Sequence, residues 1–205
     1  APVSYGGAIY SSFALELNNV TISNNNSNEE YGNAIWIPDE NSNEVAIANS
    51  ILYDNGDIPQ IYVGDASAIL EISYSNIQDG TLAFTQDVGT LNWNDGNIDV
   101  DPQFVDPENG DYSLLASSPC INSGDPSSDL DSDGTIIDMG AIPHLNYYLG
   151  PDWYVSKEGS DFSGDGSSES PFTSIIAALL WSSDGHTINV GPGTYYEHLE
   201  ITHDI

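Results

Sequence analysis

Residues 5–10 read Tyr5-Gly6-Gly7-Ala8-Ile9-Tyr10, and residues 31–36 read Tyr31-Gly32-Asn33-Ala34-Ile35-Trp36. The second stretch begins 26 residues after the first, and a shorter echo, Gln60-Ile61-Tyr62-Val63, follows. A second element recurs in step. It is Asn19-Val20-Thr21-Ile22-Ser23-Asn24-Asn25, then Asn49-Ser50-Ile51-Leu52-Tyr53-Asp54-Asn55, then Tyr74-Ser75-Asn76-Ile77-Gln78-Asp79-Gly80. Between these lies a third apolar stretch: Phe13–Leu17, Glu44–Ala48 and Ala68–Ser73. Each period thus holds three short alternating strands, separated by the Asn, Asp, Gly and Ser residues that tight turns require.

A period in the twenties with three strands and no helix predicts a β-solenoid. One rung cannot bury its inward side chains until neighbouring rungs stack on it. A seven-stranded sandwich would have a similar strand content, but it gives no reason for near-identical residues 26 positions apart.

The chain has 205 residues, one Lys or Arg against 32 Asp and Glu, and a formal net charge of −31. A single cation cannot neutralise a row of phosphates, so nucleic acid and anionic lipid surfaces are excluded as partners. No run of 18 apolar residues exists, and no membrane insertion is expected. The charge repels itself unless salt, divalent cations or an elongated body relieves it. That favours an extracellular, secreted or cell-surface setting. The lone Cys120 precludes an intrachain disulfide and reads as a small buried apolar residue.

Residues 97–144 change character. They carry Asn97-Ile98-Asp99-Val100-Asp101-Pro102-Gln103-Phe104-Val105-Asp106, Gly110-Asp111-Tyr112-Ser113-Leu114, Ser118-Pro119-Cys120-Ile121-Asn122-Ser123-Gly124-Asp125-Pro126 and Asp138-Met139-Gly140-Ala141. This stretch resembles the closing segment of secreted right-handed parallel β-helix proteins of the pectate-lyase-like superfamily. Residues 153–195 are similar to the opening of the same family. They include Trp153-Tyr154-Val155-Ser156-Lys157-Glu158-Gly159 and, after an apolar stretch, Gly191-Pro192-Gly193-Thr194-Tyr195. The resemblance implies an all-β, right-handed parallel β-helix with one short capping α-helix. Pro171 would sit in the helix's first turn, and Phe172, Ile175, Ile176, Leu179 and Leu180 follow helical spacing.

The order is inverted, with a closing segment ahead of an opening one. The expected organisation is rungs plus closing segment over 1–145, a linker over 146–152, and an opening cap with first rung over 153–205. Glu197-His198-Leu199-Glu200-Ile201-Thr202 is expected to end that piece as an uncovered strand, and the rung near Tyr5 to start uncovered. Such edges pair with what matches them. The expected partner is the protein itself, head to tail, or an adjacent repeat of a longer chain, giving a filament or array.

Asp129-Leu130-Asp131-Ser132-Asp133-Gly134 has the alternating carboxylates and turn glycine that begin a calcium loop. Thr135 and Asp138 are candidate later ligands, and Asp161 with Asp165 is a second candidate site; Ca2+ is the cofactor these residues suggest. A solvated acidic turn is the alternative. The resemblance also implies a possible polysaccharide partner, with lyase or glycoside hydrolase activity. Lyases of the superfamily use calcium with a basic residue, and here the one cation, Lys157, lies away from the rungs. No hydrolase signature such as Asp-Asp appears, so no catalytic residue is assigned. His144, His186, His198 and His203 read as surface or turn residues. Tyr5, Tyr10, Tyr31, Trp36 and Tyr62 read as rung stacks or as a sugar-binding stripe.

Overall fold

The structure is a computed structural model that describes residues 7–25, 32–38, 44–56, 59–64, 66–84 and 89–205. Tyr5 and Tyr31 lie outside the described residues. The chain visits three parallel sheets in rotation. The first pass is β1 (Ile9–Tyr10), β2 (Leu15–Asn18) and β3 (Thr21–Ser23). The second is β4 (Ile35–Ile37), β5 (Glu44–Ala48) and β6 (Ile51–Tyr53). The third is β7 (Ile61–Val63), β8 (Ile69–Ser73) and β9 (Asn76–Ile77). A fourth pass adds β10 (Thr90–Trp93), with single bridges at Phe84 and Ile98. The sheets run β1-β4-β7, β2-β5-β8-β10 and β3-β6-β9.

The pairing register follows the sequence period. Ile9 pairs with Ile35 and Ile35 with Ile61, and Ile61 bridges Phe84. In the second sheet Leu15, Val45, Leu70 and Leu91 align, as do Leu17, Ile47, Ile72 and Trp93. In the third, Ile22, Leu52 and Ile77 align. Because side chains alternate across a strand, these ladders all enter one apolar core. Full burial of each Ile or Leu contributes roughly 1.5–3 kcal/mol. Both ends of this core are formed by half-buried residues: Ile9, Leu15, Leu17 and Val20 at one end, Leu91 and Trp93 at the other.

Two-residue corners join the second sheet to the third, and each starts with a left-handed residue: Asn19 (φ 53°), Asn49 (φ 49°) and Tyr74 (φ 46°). Asn tolerates this region, and its presence there explains the recurring Asn of the sequence. Beside each corner a polar ladder climbs the stack. Ser50 Oγ accepts the Val20 N–H, Ser75 Oγ accepts the Ser50 N–H, and Asn97 Oδ1 accepts the Ser75 N–H, at 3.1, 3.1 and 3.0 Å.

Residues 97–144 run along the outer face of the third sheet. There the side chains opposite the core ladder, Thr21, Ile51 and Asn76, meet them. Ile51 joins a second apolar cluster with Leu114, Cys120 and Met139. The Asn76 amide donates to the Val100 carbonyl and to Cys120 Sγ, and the Ala141 N–H donates to Thr21 Oγ1. This segment contains an antiparallel pair, β11 (Phe104–Asp106) and β12 (Asp111–Leu114).

The remaining residues form β13 (Asp152–Val155), α1 (Ile175–Trp181) and β14 (Thr187–Val190), with β13 and β14 parallel. The helix begins later than its apolar spacing predicts, and Pro171 lies outside it. Phe172 is instead extended and bridges Val155. Asp161 Oδ1 accepts the N–H groups of Thr173 and Ser174, and Ser174 Oγ then caps the helix by accepting the Ala177 N–H. Among the described residues no helix is long and apolar enough to cross a membrane.

Candidate functional site: open strand edges and the Asp138 cluster

The acidic loop folds around its own backbone. Asp131 Oδ2 accepts the Asp138 N–H at 2.9 Å. Asp133 Oδ1 accepts from Thr135 N and Oγ1, and its Oδ2 accepts the Asn146 N–H. Asp138, 2% exposed, accepts from Asn122 N with Oδ1 and from His144 N with Oδ2, each at 2.7 Å. The Asn19 amide reaches the Asp138 carbonyl, which ties this cluster to the first pass of the coil. Burial pushes the Asp138 carboxyl up to about 7, with the charges of Asp131 and Asp133 adding to it against the pull of its two N–H donors. Burial, then the charge of Asp133, also raises Asp131.

Of the other predicted ligands, Asp129 is exposed, and Thr135 contributes its carbonyl to the Asp131 N–H. Asp161 caps the approach to α1, and Asp165 Oδ1 accepts the Ser167 N–H. Among the described residues no group of three or more His, Cys, Asp or Glu side chains is placed to hold a metal ion. Asp133 and Asp138 each have both carboxylate oxygens on backbone N–H groups. That arrangement fits a self-satisfied turn better than an open cation cage.

The predicted linker is pinned on both sides. Asn146 is buried, and its amide donates to the Asp165 carbonyl. The Ala116 N–H donates to the Asp161 carbonyl, and the rings of His144 and Trp181 and of Tyr148 and Trp153 are in contact. The opening segment therefore docks on the closing segment.

Three strands, β1, β2 and β3, stand at the edges of their sheets, and no described strand pairs with their outer sides. At the other end of the chain β14 is likewise an edge. The strand expected over 197–202 does not form: these residues carry no strand, and no backbone–backbone hydrogen bond among the described residues joins 195–203 to another segment. The segment lies along the helix, held by side chains. Glu197 accepts the N–H groups of Ile175 and Ile176, and His203 Nε2 bonds Ser182 Oγ at 2.8 Å. Tyr196, Leu199 and Ile201 remain 93%, 39% and 60% exposed.

Other candidates serve local structure. Cys120 is fully buried, and burial pushes its thiol up to about 11, which makes it a poor nucleophile. Lys157 Nζ stands 3.9 Å from the Tyr195 ring centre, a cation–π contact within the opening segment. The rings of Tyr10 and Trp36, on neighbouring strands β1 and β4, meet at 4.8 Å with a tilt of 53° rather than stacked. A groove of about 480 Å³ crosses the outer face of the second sheet beside Glu16, Glu44 and Glu71. The amides of Asn92 and Asn94 donate to the two Glu71 oxygens at 2.7 and 3.1 Å. Sequence reasoning missed Asp138 as the structural centre, because its burial depends on Asn19, Asn122 and His144 converging from distant parts of the chain.

The class that fold and site define is a mostly-β chain of stacked parallel sheets with open edges and one short helix. No family model, curated protein or solved structure matches the chain.

Proposed function

We propose that this protein is a non-enzymatic, extracellular building block, a right-handed parallel β-helix of the pectate-lyase-like type that joins copies of itself head to tail. Right-handed crossover is the rule for parallel strands joined this way. The observation that carries the reading is segment 195–203, which exposes Tyr196, Leu199 and Ile201 and has no backbone–backbone hydrogen bond to another described segment, in the same molecule as the outer sides of β1, β2 and β3, with which no described strand pairs. Such a segment supplies a missing rung to the open edge of the next copy, by strand addition between unlike surfaces. Contacts between unlike surfaces that do not close into a ring propagate as a filament. The same pairing serves adjacent repeats if the module occurs in tandem.

The test is negative-stain microscopy with light scattering of the purified chain at tens of micromolar. Filaments or a ladder of oligomers support the reading, and a homogeneous 22.0 kDa particle overturns it. Ile201→Asp places a charge on the exposed apolar segment. It is expected to abolish the oligomers while leaving the circular dichroism of the subunit unchanged.

A further inference from the structure

Within segment 195–203, Leu199-Glu200-Ile201 repeats the inward–outward–inward pattern of the second sheet. That pattern is Leu15-Glu16-Leu17 in β2, Val45-Ala46-Ile47 in β5, Leu70-Glu71-Ile72 in β8 and Leu91-Asn92-Trp93 in β10. The distance to the next corner matches as well. Asn19, Asn49 and Tyr74, the left-handed corner residues, each follow the second inward residue by two positions, and His203 follows Ile201 by two. The side chains of the segment already alternate. His198, Glu200 and Thr202 line a hollow against Ile176, Leu179 and Leu180 of α1, whereas Leu199 and Ile201 do not line it and are exposed.

Passes stack in chain order: β2, β5, β8 and β10 in the second sheet, β13 then β14 in the opening segment. The outer side of β2 is therefore the place for an earlier pass. Given the head-to-tail joining proposed above, we infer that residues 198–202 of one copy pair in parallel with β2 of the next, Leu199 beside Leu15 and Ile201 beside Leu17, and that the Glu200–Glu16 pair created by this register keeps the joint weak. Leu15 and Leu17 are half-buried at the end of the core, and Leu199 and Ile201 are exposed, so pairing covers apolar surface on both copies. Neighbouring strands lie about 4.8 Å apart. The two outward carboxylates thus stand side by side, and like charges so placed destabilise strand pairing. Within the coil the same column avoids that contact. Ala46 separates Glu16 from Glu71, and the next residue, Asn92, donates to Glu71. Glu44, Glu71 and Asp125 border the same outer face and add negative charge. His198 falls beside Ala14, diagonal to Glu16, and does not come between the two carboxylates. Neutralising either Glu16 or Glu200 strengthens the joint, which makes this pair its control point.

Charge exchange tests the pair. Light scattering of the full chain, near neutral pH in about 0.15 M NaCl, gives the concentration at which half of the subunits are joined. Glu16→Lys and Glu200→Lys each turn the repulsion into an ion pair and should lower that concentration about tenfold. Glu108→Lys, at an exposed residue of the closing segment, makes the same change in net charge and sets the baseline. The double variant Glu16→Lys/Glu200→Lys restores repulsion, now between two cations, and should return the concentration to that baseline or above. Each Lys removes two negative charges from the formal −31, so screening alone would make the double variant join best. Circular dichroism checks that every variant is folded. A double variant that joins more readily than the single ones, or single variants that match Glu108→Lys, overturn the register while joining itself stands. If neither the parent nor any variant exceeds 22.0 kDa, head-to-tail joining fails and the register with it.

Discussion

The backbone N–H of His144 donates to Asp138 Oδ2 at 2.7 Å, while Asn122 holds the other oxygen of the same carboxyl at the same distance. One buried acid thus joins two turns of the closing segment. Its carboxyl moves from an ordinary 3.8 to about 7 on folding, so the folded chain binds that proton more tightly than the unfolded one. The stability this contributes is complete below about pH 4 and is lost as pH rises to about 7, on the order of 4 kcal/mol over the whole window. Asp138→Asn cannot titrate. Urea midpoints for both proteins across this range should therefore converge or cross as pH rises, in favour of the variant. A difference that stays flat would show that Asp138 keeps an ordinary proton affinity.

The inward ladder makes a prediction of its own. Ile61 is fully buried between Ile35 and Phe84 on the neighbouring rungs, whereas Glu16 projects outward from the second sheet. Ile61→Ala should cost about 3 kcal/mol, and Glu16→Ala should stay within about 0.5 kcal/mol of the parent. Chemical denaturation measures both. Equal losses would mean that the two faces have been assigned wrongly.

Much of the stack is legible in the sequence because its register takes the form of repetition. The Ile9, Ile35 and Ile61 alignment follows from the 26-residue spacing, and Glu44–Ala48 is a strand with the predicted limits. The fourth pass is less visible, because the residues of β10 (Thr90–Trp93) do not repeat those of β2, β5 or β8. The path of 97–144 is also hidden. Ile51 and Leu52 are both apolar, and only the fold shows that Leu52 faces the core and Ile51 the closing segment. The helix starts late because Phe172 finds a strand partner in Val155, a tertiary contact that helical spacing cannot register. The carboxylates of 129–138 have the spacing that begins a calcium loop, but spacing does not record which backbone N–H groups converge on each oxygen.

Asn49 combines two demands, and substitution can separate them. Its φ is 49°, its amide donates to Asn18 Oδ1 at 2.9 Å, and its Oδ1 accepts the Asp125 N–H at 2.7 Å. Asn49→Gly keeps the left-handed backbone and loses both bonds, while Asn49→Ala loses the bonds and adds strain. Alanine should therefore be worse than glycine by about 1 kcal/mol in thermal or urea unfolding. Glycine equal to or worse than alanine would show that the corner relaxes out of the left-handed region.

Calcium provides a further check on the acidic loop. Backbone N–H groups occupy both oxygens of Asp133 and of Asp138. A cation would have to displace those donors. Calcium and magnesium at equal ionic strength should then raise Tm equally, through screening of the −31 charge alone. A rise of several degrees specific to calcium, lost in Asp131→Asn, would establish a true site.

The proposed self-association would have to overcome that same charge. Two copies with a formal −31 each repel at a distance, while the apolar contacts of Leu199 and Ile201 act only on close approach. The Debye length falls from about 10 Å at 0.1 M salt to about 3 Å at 1 M. Particle mass by light scattering should therefore rise with NaCl, and magnesium should produce the same rise at a much lower concentration. Salt-driven growth that requires molar NaCl and ignores magnesium would point to general salting-out. Leu199→Asp separates the two further, since a specific edge contact is lost at every salt concentration. If the variant grows as the parent does, the segment 195–203 is not the joining surface.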